Sequence, residues 1–132
     1  MKKTSMKKLH FEKKASYAHE KAIEVLVSWI KLRPNIFGIH DLFAVNKEIQ
    51  FFDSNDLILF VPDIVVYSKT NITHIFEVEF THGLDADKLN KMMNFFWLNR
   101  IFAKVYEVKA VDILSCTEPI TDMKQIKFFE MI

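Results

Sequence analysis

The side chains best suited to chemistry lie between residues 61 and 80, VPDIVVYSKTNITHIFEVEF. The text reads as two strands joined by a polar turn between Ser68 and Asn71. Asp63 stands at the mouth of the first strand, and Glu77 and Glu79 stand two apart on the second. Strand side chains alternate faces, so these two glutamates point the same way. If the strands pair as a hairpin, Asp63 approaches both. Three carboxylates gathered at a sheet end repel one another unless a cation lies among them. Oxygen-only ligands suit Mg²⁺ or Mn²⁺. The same letters have a plainer origin: alternation alone places Glu77 and Glu79 on the wet face of an edge strand, opposite Phe76, Val78 and Phe80. Pro62-Asp63 also suits an ordinary strand start.

Other elements must hold this hairpin. Residues 16 to 32, SYAHEKAIEVLVSWIKL, read as a helix with Ser16 as N-cap and Ala22, Ile23, Leu26, Trp29 and Ile30 as its apolar face. Glu20 and Glu24 lie one turn apart on one side, either solvated or leaning over the carboxylates. His19 reads as a surface or capping residue. Arg33-Pro34 ends the helix. Residues 36 to 45 fit a strand or a short helix. Residues 47–52 and 57–61 read as strands around the turn Asp53-Ser54-Asn55-Asp56, which lacks the spacing of a calcium loop. Beyond the hairpin, Asp85 is an N-cap for a helix to about Leu98, with Leu89, Met92, Met93, Phe96 and Trp97 as the buried stripe. Lys88 and Lys91 share a flank of it. IFAKVYEVKAV, from Ile101, is a strand, and a strand reached through a helix lies parallel to its neighbour. A short closing element ends the chain and blunts the sheet edge. The class is α/β (α+β): a central mixed sheet flanked by helices, in the order α-β-β-β-α-β.

Pro62-Asp63, thirteen intervening residues, then Glu77-Val78-Glu79 resembles the motif of the PD-(D/E)xK nuclease superfamily, the restriction-endonuclease-like fold. The resemblance covers residues 16 to about 110 and includes the order of elements. It implies a divalent-metal-dependent deoxyribonuclease that hydrolyses phosphodiester bonds, endonucleolytic, leaving 5′-phosphates. Asp63 would be the main metal ligand and Glu77 the second, with Mg²⁺ or Mn²⁺ as cofactor. Glu79 takes the place of the usual lysine, as ligand or as general base. Lys88 and Lys91 are candidates for the missing positive charge, and Glu24, or Glu20, would hold the metal's water from the first helix. The missing lysine also motivates a different outcome: a nuclease fold without catalysis that binds nucleic acid or a protein. Similar domains occur in mobile-element and DNA-uptake proteins.

Composition bounds the rest. The chain has 132 residues, half of them hydrophobic, thirteen Phe, and two Gly, which fits one domain with a substantial core. Residues 1–14 form a basic, partly mobile arm and residues 15–132 the nuclease-like domain. The net charge of +1 hides an asymmetry: residues 1 to 33 carry nine Lys or Arg against three Glu, and the remainder nine against fourteen acids. A basic arm beside an acidic pocket suits an enzyme acting on a polyanion, most simply DNA, though solvated surface gives the same pattern. Lone Cys116 excludes an internal disulfide and a cysteine zinc cluster, and fits a reducing, cytoplasmic setting. No apolar run has membrane-spanning length, so no membrane partner is expected. Such a short chain would borrow specificity from a protein partner or a homodimer. His82, after the hairpin, either lines the pocket or is surface, and His10, His40 and His74 lack ligand spacing. Trp29 and Trp97 are expected in the core.

Overall fold

The computed structural model describes residues 6–80 and 84–132, with side chains from Tyr17 onward. Helix α1, Met6–Leu32, buries Ala22, Ile23, Leu26, Trp29 and Ile30, the stripe read from the sequence. It starts ten residues before Ser16, so Ser16 lies inside the helix and part of the basic arm is helical. It stops where Arg33 meets Pro34. Proline's ring disfavours helical backbone in the residue before it, and Arg33 has swung to φ −141°. A single 3₁₀ turn, Pro34–Phe37, follows and ends on Gly38 at φ 72°, a left-handed geometry that glycine adopts without strain.

Seven strands follow: β1 (Ala44–Lys47), β2 (Phe51–Phe52), β3 (Ile58–Phe60), β4 (Ile64–Tyr67), β5 (Ile72–Glu79), β6 (Lys104–Lys109) and β7 (Phe128–Glu130). Helix α2 (Ala86–Leu98) lies between β5 and β6, and the short α3 (Ala110–Leu114) follows β6. The main sheet runs β1-β4-β5-β6-β7, and β2 with β3 makes a separate ribbon around the Asp53 turn. Its ladders are antiparallel except β5 with β6, which is parallel, as a connection through a helix requires. Before α2 the main sheet contains three strands, so its order to β6 is α-β-β-β-α-β with the β2–β3 ribbon inserted. The mixed sheet with helices on it is the α/β (α+β) class expected. β7 pairs with β6 and closes that edge.

Alternation along β4, β5 and β6 divides the core. Ile64, Val66, Phe76, Val78 and Val108 face α1 and α3, while Val65, Ile75 and Val105 face α2, with Met92 and Phe96 packed on them. Phe60 and Phe51 stack at 4.8 Å between the β2–β3 ribbon and Phe95 of α2. The α2 stripe is narrower than the sequence suggests: Met92 and Phe96 are buried, but Met93 is 45% and Trp97 78% exposed. Trp97 is therefore not a core residue. Among the described residues no helix is long and apolar enough to cross a membrane.

Candidate functional site

β5 is the middle strand of the five, which disposes of the edge-strand account of its glutamates. Glu77 is buried, with 7% exposure, one residue from the strand's end. The antiparallel register Ile64↔Phe76 brings Asp63, just ahead of β4, beside it. The Asp63 backbone N–H donates to Glu77 Oε1 at 2.9 Å, and Asp63 Oδ2 accepts from the Val78 backbone N–H at 2.7 Å. The two acids are thus interlocked through each other's strand, and neither can turn freely.

Each is also held by a helix. Lys88, in the first turn of α2, places Nζ 2.7 Å from Glu77 Oε2 and donates to the Val61 carbonyl at 2.9 Å. The Asp85 carboxylate caps that turn by accepting from the Asp87 N–H. On the other side, His19 of α1 places Nε2 2.8 Å from the Val78 carbonyl and 3.3 Å from Asp63 Oδ2. Glu77 is held above its ordinary carboxyl pKa, first by burial and then by the Asp63 charge, against the pull of Lys88. His19 is raised as well, chiefly by its hydrogen bond to Asp63, against the opposing effect of burial.

A second buried carboxylate joins them. Glu107 of β6 is the register partner of Glu77, 9% exposed, and its Oε2 accepts from the Leu84 N–H. Glu77, Glu79, Glu107, Asp85 and Lys88 surround a cavity of about 210 Å³.

The residues singled out from the sequence divide accordingly. Asp63, Glu77 and Lys88 come together, and Glu79 shares the cavity with Glu77 and Lys88. Lys91 does not join them but pairs with Asp87 on the surface of α2 at 3.0 Å. Glu24, half-exposed, faces Lys47 of β1 at 3.8 Å, and Glu20 is exposed. The side chain that α1 extends to Asp63 is His19, not a glutamate. The convergence of three carboxylates is not met either: among the described residues no three His, Cys, Asp or Glu side chains form a metal-holding group. Asp63 is directed at Val78 and His19, so its link to Glu77 runs through backbone. His82 and the side chain of His10 lie outside the described residues. His74 is buried against Phe76 and Tyr106, His40 is exposed, and Cys116 is free.

His19 and Glu107 escaped the sequence reading, yet each left a trace. His19 precedes Ala22 and Ile23 by one turn and so extends the buried stripe of α1. Glu107 is an acid set among the valines of a strand whose partner carries an acid at the same point. No family model matches the chain, and neither does any curated protein or solved structure compared with it.

Proposed function

We propose that the chain is a divalent-metal-dependent deoxyribonuclease with the restriction-endonuclease-like arrangement, a variant of the PD-(D/E)xK superfamily with glutamate in place of the motif lysine. The observation that carries this reading is the interlock of Asp63 and Glu77 at the end of neighbouring strands, with Lys88 on the same carboxylate. Asp63 and Glu77 fit a hard cation as a pair. Mg²⁺ is commonly bound through one or two carboxylates and retains waters and substrate oxygens for its other positions. When bound, the ion would neutralise a phosphodiester and activate water against it.

The chain's own groups do the positioning. The Val78 N–H and His19 fix the Asp63 carboxylate, and the Asp63 N–H fixes that of Glu77. Lys88 offsets part of the repulsion between the two acids. Glu79, less buried and at the strand's end, is the carboxylate best placed to accept a proton from an attacking water. Cleavage is endonucleolytic with 5′-phosphate products, DNA is the substrate, and a second copy of the chain supplies the cut on the other strand of a duplex.

One observation favours a second reading, a nuclease fold that binds nucleic acid without cutting it. Both Glu77 oxygens already have protein donors, one of them the Lys88 ammonium. Incubation of supercoiled plasmid with Mg²⁺, Mn²⁺ or EDTA separates the two. Cleavage is expected with either metal, none in EDTA, and none from Asp63→Ala or Glu77→Ala that remain folded by circular dichroism. DNA retention without cleavage in either metal would favour the second reading, and cleavage by both variants would remove the site.

A further inference from the structure

The strand beside the motif strand repeats its text. Phe76-Glu77-Val78-Glu79 on β5 runs in step with Tyr106-Glu107-Val108-Lys109 on β6, each residue the register partner of its counterpart. The match is physical as well as textual. Phe76 and Tyr106 stack at 5.5 Å, Val78 and Val108 are buried in the same core, and Glu77 and Glu107 line the same cavity. That shared cavity shows that partners on this parallel ladder project to one face. With a period of two, Lys109 stands on that face beyond Glu107, opposite Glu79, one strand spacing of about 4.8 Å away. The acid-any-lysine pattern missing from β5 is therefore written on β6, as Glu107-Val108-Lys109.

The other lysines near this end of the sheet are committed. Lys88 bonds Glu77 and the Val61 carbonyl, Lys91 pairs with Asp87, and Lys47 faces Glu24. Lys109 is exposed, and its flexible stem can carry an ammonium over the cavity mouth. We propose that Lys109 is the catalytic cation of this site, holding a non-bridging oxygen of the scissile phosphate from the neighbouring strand. This rests on the nuclease reading. In the hydrolysis, the water oxygen bonds to phosphorus, the bond from phosphorus to the 3′ oxygen breaks, and that oxygen leaves with a proton. Lys109 keeps its own proton throughout and donates an N–H bond to the oxygen on which negative charge accumulates. The alternative role for it is a cross-strand charge partner of Glu79, which would affect folding alone.

The test uses the full chain with Lys109→Ala, Lys109→Gln and the double variant Glu79→Lys/Lys109→Ala, each checked for folding by circular dichroism and thermal melting. Plasmid cleavage in Mg²⁺ is expected to fall about 100-fold in both single variants, the scale of losing one donor to a developing oxyanion. Glu79→Lys is expected to restore most of it, because it returns the charge to the same face one strand away. Binding of a short duplex in EDTA supplies a readout independent of turnover. The slope of log affinity against log salt should become shallower by about 0.9 when one phosphate contact is lost. Wild-type cleavage matched by folded Lys109→Ala, or an unchanged salt slope, would overturn the assignment of Lys109 and leave the nuclease reading standing. A wild type that cuts no DNA in either metal defeats the nuclease reading, and the role of Lys109 falls with it.

Discussion

Glu77 is a carboxylate with little water around it. Burial is the larger reason its pKa lies above the ordinary 4.5, and the Asp63 charge adds to it, while Lys88 pulls the other way. The folded chain therefore holds a proton on Glu77 over a pH range in which the unfolded chain has lost it. Across that range stability falls as pH rises, because ionising Glu77 in the fold costs more than ionising it in water. Removing Lys88 takes away the main opposing influence, so the folded pKa climbs further and the range widens upward. Lys88→Met should consequently lie close to the wild type near pH 4, where Glu77 is protonated in both folded proteins. The gap should widen toward neutral pH, reaching about 3 kcal/mol, the scale of breaking one buried ion pair. Urea unfolding in EDTA at several pH values measures this directly. A gap that is constant with pH would show that Lys88 contributes packing and its bond to the Val61 carbonyl, and little charge compensation.

At the scale of elements, α1 does two jobs with one stripe. Ala22, Ile23, Leu26 and Ile30 seat the helix on the sheet, and His19, a turn earlier, reaches Asp63. Glu24 lies on the flank, half-exposed beside Lys47. His19→Ala should therefore lower cleavage at least about tenfold, the usual cost of losing a group that orients a metal-binding carboxylate. Glu24→Ala should change it less than about twofold, since an exposed pair at that distance contributes little. Initial rates on plasmid in Mg²⁺ distinguish them, and a Glu24 effect larger than the His19 effect would reverse the assignment. The same contrast shows what was legible beforehand. Periodicity located α1, and local turn chemistry located the Asp85 cap and the β4–β5 hairpin, because those depend on near neighbours in the chain. Asp63 and Glu77 were legible because one short turn connects their strands. The partner from α1 was not, since a helix can turn either flank toward a sheet end and only tertiary packing decides. Glu107 and Lys109 were hidden for a similar reason: their meaning depends on parallel register with β5, which is set across a whole intervening helix.

For the whole molecule, the three-layer arrangement assigns the two tryptophans to opposite fates. Trp29 is on α1, in the layer shared with α3, and is 4% exposed among Ile23, Leu26 and their neighbours. Trp97 is on the far layer, near the end of α2, 78% exposed beside Leu98 at 79% and Phe102 at 82%. Thirteen phenylalanines are more than one small core requires, and they are spent unevenly: Phe51, Phe60, Phe95 and Phe96 form one aromatic cluster, whereas Phe102 remains outside. The two indoles should report this division by fluorescence. Trp97→Phe is expected to leave only blue-shifted emission from Trp29 that acrylamide quenches poorly. Trp29→Phe should leave red-shifted, readily quenched emission and destabilise the fold, because a large buried side chain loses volume there. Trp97→Phe should leave stability within about 0.5 kcal/mol, as surface substitutions usually do. If the protein self-associates through the α2 end, the Trp97 signal alone should shift to the blue and become protected from acrylamide as concentration rises. Equal quenching of the two indoles in dilute solution would contradict the layer assignment itself. Because β5 and β6 are fixed between those layers, the register that joins Glu77 to Glu107 and Glu79 to Lys109 would then lose its support.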